Sequence, residues 1–218
     1  MQSSDRWKST IEWWASKRAG CVVEWDTENP EWLFMSLADQ YASSARRVLQ
    51  VGCCSEDTDC QTTDGSTWIK AKSASDVDDT FDLICSCAGL PVIEQLDRVL
   101  AADGLVVGIT TSRLHYIETQ EIFRRTPEWM PPQCSIKAIS HAIENSSFEI
   151  LMTPEYFGAS YCPDVDDFTK LLETSAIAAD FDASKDAELI KDIHRKLMHE
   201  RGIRNTEHHV IYMLARRS

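Results

Sequence analysis

Residues 47–60 read RVLQVGCCSEDTDC, and this stretch decides the fold that we expect for the rest of the chain. Three apolar residues, Val48, Leu49 and Val51, predict a buried strand, and Gly52 predicts a tight turn directly after it. A strand followed by such a turn is typical of α/β proteins that hold a nucleotide-like cofactor, because glycine lets backbone N–H groups approach the ligand. Here residues 53–56 are Cys-Cys-Ser-Glu, whose side chains would crowd that approach. We therefore expect a fold of a cofactor-binding class with an altered cofactor turn.

The composition is that of a globular chain: of 218 residues, 43% are hydrophobic and 26% are charged. This length suits one α/β domain with a sizeable core. No apolar stretch is long enough to span a membrane, and the first residues (MQSSDRWKST) lack an apolar signal region. The net charge of −13 argues against nucleic acid as a partner, because phosphate contacts need clustered Lys and Arg. We expect a cytoplasmic protein that binds neither membrane nor nucleic acid.

The cysteines and histidines predict no metal site. The eight cysteines form no C-x-x-C pair, and most are expected to be reduced, small buried side chains. His208 and His209 are adjacent on a predicted strand, so they point to opposite sides and cannot chelate one ion together. No other histidine spacing along the chain indicates a pair of ligands.

The middle of the chain predicts a parallel pair of buried strands. Residues 81–88 (FDLICSCA) and 105–112 (LVVGITTS) are nearly continuous apolar runs, as expected for strands covered on both faces. Between them, residues 92–100 have helical apolar spacing and Gly104 ends the connection. Strand, helix and strand in this order imply a right-handed crossover. A last apolar strand is expected at 208–215 (HHVIYMLA).

In this order the segments VLQVGC, FDLICSCAGL, RVLAADG and LVVGITTS resemble the class I S-adenosylmethionine-dependent methyltransferase fold. The tail, FEILMT followed by two helices and HHVIYMLARR, is similar to small-molecule methyltransferases of the trans-aconitate type. The resemblance covers roughly residues 44–218. It implies an α/β fold with a Rossmann-like sheet that is mostly parallel and has an antiparallel last strand. As one domain, the chain would comprise an N-terminal helical lid (1–45), a core sheet (46–153), a helical insertion (154–204) and a final strand (205–218).

The chain departs from that family between its first and fourth strands. Only 29 positions separate Gly52 from Phe81, about one βαβ unit, whereas the family fits further helices and strands there. One of those strands ends in an Asp or Glu that binds the ribose of the cofactor. If residues 68–71 form a remnant of it, Lys72 and Ser73 occupy its end, and Asp76 is a weak candidate for the acidic role.

Three functions remain open. The first is binding of a small apolar metabolite and its cyclisation or isomerisation without a methyl donor, the role that the resemblance permits through methyltransferase-fold cyclases and pericyclases of natural-product pathways. The second is conventional S-adenosylmethionine-dependent O-methylation of a small molecule. The third is a non-catalytic partner protein. We favour the first, which needs no cofactor, because it accounts for the altered turn and for the tryptophan-rich N-terminus. The oligomeric state stays open, a homodimer included.

A pocket is expected at the carboxyl ends of the parallel strands. Catalytic roles are predicted for His115, as the acid–base group, and for Thr111 beside it. The residues expected to contact the substrate are Trp14, Trp25, Cys87, Leu90, Tyr116, Tyr156, Phe157 and Tyr161. If the protein is a methyltransferase, the cofactor would lie against Gly52, Cys54 and Asp76. The N-terminal tryptophans have two interpretations, either a helix that docks on the core or an aromatic lid over the ligand.

Overall fold

One mixed sheet runs through the computed structural model, which describes residues 3–52, 59–63, 65–125, 136–175 and 177–217. Its strand order is β1-β8-β10-β6-β5-β2-β4-β3, and β7 and β9 both pair with β10. The strands are Val22–Trp25 (β1), Arg47–Val51 (β2), Asp59–Thr63 (β3), Ser66–Ala71 (β4), Phe81–Ser86 (β5), Leu100–Thr111 (β6), Phe148–Met152 (β7), Glu155–Cys162 (β8), Met198–His199 (β9) and Gly202–Arg216 (β10). The helices are Ser3–Lys17 (α1), Pro30–Ala42 (α2), Ile93–Val99 (α3), Ile117–Phe123 (α4), Ile136–Glu144 (α5), Val165–Ser175 (α6) and Ala187–Leu197 (α7).

The centre of the sheet has the predicted arrangement. Strand β2 pairs in parallel with β4 and β5, β5 pairs in parallel with β6, and β10 lies antiparallel to β6. Helix α3 connects β5 to β6 as the apolar spacing predicted. The α/β class and the Rossmann-like sheet with an antiparallel last strand are confirmed. Antiparallel strands also extend the sheet at both edges, through β3 on one side and through β8 and β1 on the other.

The shortened interval after β2 is filled by a hairpin. Strand β3 runs antiparallel to β4, and β4 then lies parallel to β2 with Val51 opposite Ala71. The predicted remnant strand is therefore present, and Lys72 and Ser73 follow its end. The 3-10 turn Ala74–Asp76 comes next, with Ser73 as its N-terminal cap.

Residues 154–204 and 1–45 contain strands as well as the expected helices. The sequence predicts a turn at 156–158, but these residues lie inside β8, which pairs with β10 on one side and β1 on the other. Gly158 is the reason for the difference. A Cβ at this position would lie 2.3 Å from the carbonyl oxygen of Glu24, so the glycine permits close approach of β1 and does not mark a turn.

The two faces of the sheet carry separate apolar cores. Helices α1 and α2 cover one face, where Trp7 packs edge-on against Phe34 and Trp68 at 5.6 and 5.7 Å between ring centroids. Helices α3 and α5 cover the other face through residues such as Leu96 and Ile139. Trp7 thus docks the N-terminal helix on the core, as the first interpretation of the N-terminal tryptophans predicted.

A third apolar cluster joins α4, α6 and α7 and contains a disulfide bond between Cys21 and Cys162. The sequence predicted no particular pair, because the two cysteines stand 141 residues apart, whereas Cys85 and Cys87 are free and buried. Among the described residues, no helix combines the length and apolar character that crossing a membrane requires.

Candidate functional site

A cavity of about 340 Å³ opens where β5 and β6 end. These two strands are parallel, so their carboxyl ends meet at one edge of the sheet, where α/β proteins bind ligands. The residues 87–89 after β5 and 109–111 at the end of β6 form part of its wall. The apolar side chains of its wall include Trp13, Trp14, Ile109 and Ile177.

Glu207 is the centre of a buried polar cluster on the same cavity wall. Its Oε2 atom lies 3.3 Å from Nδ1 of His115 and 3.4 Å from Nε2 of His209. Its Oε1 atom accepts a hydrogen bond of 2.9 Å from the hydroxyl of Tyr116. All four side chains line the cavity, and Glu207 is only 1% exposed. The cluster therefore combines a carboxylate, a phenol and two imidazoles in one wall.

Strand alternation places two members of the cluster. Successive residues of a strand face opposite sides, so Glu207 and His209 share one face of β10. His208 points to the other face, where it pairs with Glu155 at 2.8 Å and contacts the Ser112 hydroxyl. The sequence prediction that His208 and His209 diverge is confirmed.

The turn after β6 places the other two members. Tyr116 has a left-handed backbone, with φ of 55°, which is uncommon for a residue other than glycine. Its N–H donates to the Thr206 carbonyl at 2.8 Å, and its hydroxyl donates to Glu207, so β10 holds both ends of the residue. The Gln120 amide donates to the His115 carbonyl at 2.5 Å and fixes the neighbouring position. These contacts hold the left-handed backbone of Tyr116 in place and direct the side chains of His115 and Tyr116 towards Glu207.

Burial and charge set the protonation of the cluster. Burial lowers the pKa of His115, against the opposing attraction of Glu207, and so favours the neutral imidazole. Burial alone would raise the pKa of Glu207, but the attraction of the His115 imidazole in its charged form and the His209 hydrogen bond outweigh burial and lower the pKa. Burial, together with the Glu207 charge, raises the pKa of Tyr116 well above its usual value. The cluster therefore combines an ionised carboxylate with a neutral phenol.

A second polar pair lies on the cavity wall near the N-terminus. Arg18 at the end of α1 donates to Glu31 of α2 at 2.5 Å, and the Glu31 side chain is only 7% exposed. The pair ties α1 to α2 beside Trp14. Both charged side chains lie on the cavity wall, but their opposite charges neutralise each other.

The cavity brings together several of the residues predicted from sequence. The predicted catalytic residues His115 and Thr111 both line it. So do three of the predicted substrate contacts, namely Trp14, Cys87 and Tyr116.

The other predicted substrate contacts lie elsewhere. Trp25 packs edge-on against His209 at 4.9 Å between centroids, behind the polar cluster. Leu90 packs with the core on the α3 side of the sheet, and Tyr156 packs with the core on the α1 side. Phe157 is 43% exposed and stacks on His208, and Tyr161 contacts His199 and Arg201. Tyr156, Phe157 and Tyr161 lie within β8, which pairs with β10 where the sequence predicted a turn.

Two of the three residues predicted for a methyltransferase cofactor are described by the structure, and both are engaged within the fold. Gly52 has φ of 89°, and a Cβ there would lie 2.9 Å from the Ala88 Cβ, so its glycine serves close packing of two strand ends. Cys54 lies outside the described residues. Asp76 accepts from the Ser73 N–H at 2.8 Å in a capping box, so its carboxylate is engaged within its own turn. Lys72 and Ser73 stand at the end of β4, where the family has its acidic residue.

Sequence reasoning missed the residues that give the cavity its charge. The sequence predicts no role for Glu207, and it indicates His209 only as the neighbour of His208. The signal was present as the i, i+2 spacing of Glu207 and His209 on one strand, but their contact with His115 depends on the pairing of β10 with β6. Trp13, Arg18 and Glu31 were missed for a similar reason, since they reach the cavity by packing of α1 and α2.

Comparison with known proteins places the fold. No protein-family model matches the sequence, and no curated protein shows significant similarity to it. A functionally unknown protein from Deinococcus radiodurans R1 has a TM-score of 0.59 at 13% identity, covering 98% of this chain and 100% of that chain. A methyltransferase candidate from Bacillus halodurans C-125 has a TM-score of 0.52 at 11% identity, covering 84% and 96%. The [4+2]-cyclase SpnF has a TM-score of 0.48 at 12% identity, covering 100% and 96%. The chain has the class I methyltransferase fold, and at these identities the likeness establishes the fold alone.

Proposed function

We propose that this protein binds a small, largely apolar metabolite that carries one oxygen function, and that it catalyses cyclisation or isomerisation of that metabolite without S-adenosylmethionine. The proposed setting is secondary metabolism. The reaction would take place in the cavity at the ends of β5 and β6.

One observation carries the proposal: a single cavity combines an apolar wall with a buried polar cluster. Its volume of about 340 Å³ is at the lower end of the range of small-molecule sites, roughly 300–1,000 Å³. Trp13, Trp14 and Ile109 would hold the hydrocarbon body in a folded conformation, and the groups around Glu207 would meet the oxygen. Positioning of a flexible chain near its reactive geometry can lower a barrier by several kcal/mol, and a fixed polar group adds charge stabilisation.

Methyl transfer has less support from the same residues. A conventional cofactor site needs a glycine-rich approach and an acidic ribose contact. The described residues at the matching strand ends instead offer one closely packed glycine, Gly52, and a carboxylate, Asp76, already engaged by Ser73. No step of the proposed reaction passes through that cofactor.

The test is direct titration in EDTA-containing buffer with two probes. β-Ionone, an apolar dienone with one carbonyl, serves as the surrogate ligand and is followed by quenching of Trp13 and Trp14 fluorescence. S-adenosylmethionine is titrated in parallel by calorimetry. We expect saturable quenching by β-ionone and no saturable heat from S-adenosylmethionine. Saturable binding of S-adenosylmethionine at micromolar concentration would contradict the proposal.

Two tryptophan variants form a matched pair for this titration. Trp14 lines the cavity and is 8% exposed, whereas Trp32 on α2 is 67% exposed. Trp14→Ala should weaken β-ionone binding at least tenfold and lower the free energy of unfolding by about 3 kcal/mol, because a large buried side chain is removed. Trp32→Ala should change neither. Equal affinities of the two variants for β-ionone would show that the cavity is not the binding site.

A further inference from the structure

We propose that His115, Glu207 and His209 bind a divalent first-row transition-metal ion, of the zinc or iron(II) class, with an open coordination position that faces the cavity. The role of this ion in catalysis rests on the proposed function. Metal binding itself is measured without any substrate, so the two proposals can fail separately.

The spacing of the three donor atoms is that of metal ligands. Zn–N and Zn–O bonds of about 2.0–2.1 Å at tetrahedral angles place neighbouring ligand atoms roughly 3.3 Å apart. The observed distances from Glu207 Oε2 are 3.3 Å to His115 Nδ1 and 3.4 Å to His209 Nε2. All of the candidate ligand atoms lie within 4.8 Å of one another. The two histidine nitrogens are thus at most 4.8 Å apart, which is close enough for one ion to contact all three groups.

The Nδ1 atom of His115 faces the Glu207 carboxylate inside the protein, 3.3 Å from Oε2. This carboxylate is buried and cannot be screened by bulk water, so it attracts a cation strongly. A divalent ion between the two groups would take the place of the proton that otherwise joins them. The ring nitrogen has one lone pair, so the ion would also replace the long contact, 3.4 Å, that the His208 backbone N–H makes with Nδ1.

The surroundings hold the carboxylate in place for coordination. The hydroxyl of Tyr116 donates to Oε1 of Glu207 at 2.9 Å, which leaves Oε2 directed at the two histidines. Hydrogen bonds to a ligating carboxylate are a regular feature of metal sites and fix its orientation. Tyr116 would therefore act as a positioning residue for the metal ligand Glu207.

The position of the cluster on the cavity wall indicates a catalytic type of site. Catalytic zinc sites have three protein ligands and one open position, and two histidines with one carboxylate also form the facial site of iron(II) enzymes. Here all three residues line the cavity, so the remaining position faces the ligand space. A carbonyl or enol oxygen of the substrate would occupy it and be polarised by the ion as a Lewis acid. This narrows the substrate class to apolar metabolites with such an oxygen.

The experiment uses the full chain after removal of metals, with Co²⁺ as a spectroscopic probe and Zn²⁺ as a competitor. We expect visible absorption bands of four- or five-coordinate Co²⁺ that saturate at one ion per chain and disappear when Zn²⁺ is added. Glu207→Gln and His209→Gln should each weaken binding by at least about a hundredfold, and Tyr116→Phe by roughly tenfold, as expected for loss of a hydrogen bond to a ligand. The control is His141→Gln, because the His141 side chain is 82% exposed on α5; it should bind like the wild type.

The melting temperature of the wild-type protein provides a second test, which does not depend on the folding of the ligand variants. Saturating Zn²⁺ should raise the melting temperature of the wild type and of His141→Gln, because the ion binds only the folded state. Absence of cobalt bands and of this rise would overturn the proposal and leave a hydrogen-bonded cluster. Bands that persist unchanged in folded Glu207→Gln and His209→Gln would also overturn it, by showing that the ion binds elsewhere.

Discussion

Removal of the disulfide between Cys21 and Cys162 should destabilise the protein against urea by several kcal/mol. Val22 of β1 pairs with Tyr161 of β8, so the two cysteines occupy the next opposed positions of this antiparallel pair. Strand β1 has only 4 residues and lies at the sheet edge. The bond therefore secures a short edge strand that follows α1 and carries Trp25.

The magnitude follows from the length of chain that the bond closes. The separation of 141 residues gives about 5 kcal/mol by the chain-entropy relation, and measured bonds commonly give less, about 2–4 kcal/mol. We expect a loss of about 4 kcal/mol in the double variant Cys21→Ser with Cys162→Ser. A chain of this size has a urea m-value of roughly 2.5 kcal/mol/M, so the unfolding midpoint should fall by about 1.5 M.

The assay compares urea unfolding of the wild type and the double variant, each with and without dithiothreitol. The wild type should lose about 1.5 M in midpoint when it is reduced, whereas the variant should be insensitive to reductant. A wild-type midpoint that does not respond to dithiothreitol would refute the reasoning. The presence of this bond also bears on the predicted cytoplasmic location, because the cytosol keeps most thiols reduced and disulfides are rare there.

Two further predictions concern stability. Arg125 donates two hydrogen bonds of 2.7 Å to Asp186 and holds the pKa of that carboxyl below its usual 3.8, so the contribution of the pair is present above about pH 4 and is lost as the pH falls through the lowered pKa. Asp186→Asn should therefore cost about 2 kcal/mol at pH 7 and less at pH 3 in urea unfolding, and an equal loss at both pH values would contradict this. A Cβ at Gly108 would lie 2.0 Å from the ring of Tyr212, so Gly108→Ala should displace that buried ring and cost about 1–3 kcal/mol, measured by the same method. An unchanged midpoint would show that the ring adapts without loss.

The sheet centre could be predicted because its signals are local. Strands β5 and β6 are buried on both faces and read as continuous apolar runs, with helical spacing between them. Strand β8 could not be recognised from the same kind of signal. Its Gly158 has the appearance of a turn residue, and only the close approach of β1 explains it.

The candidate site could be predicted in part. A pocket is expected at the carboxyl ends of parallel strands, and the turn after β6 lies at such an end. His115 and Tyr116 could therefore be predicted as site residues. Glu207 and His209 come from a strand about ninety residues later, and their meeting with His115 depends on the register that sets His209 opposite Thr111. A single sequence contains no local signal of such a register.

Strand β10 explains why the polar cluster indicates function more than stability. Ile211 and Met213 lie on the same strand face as Glu207 and His209, and they are buried in the core that α1 and α2 cover. Continuing that apolar pattern by two more positions would fill the end of the sheet without a buried charge. A carboxylate as buried as Glu207 loses several kcal/mol of hydration, which its partners only offset, and an apolar replacement of similar size is often neutral or stabilising. The switch from apolar to ionisable residues occurs where the face reaches the cavity, so the polar cluster is best explained by what binds there.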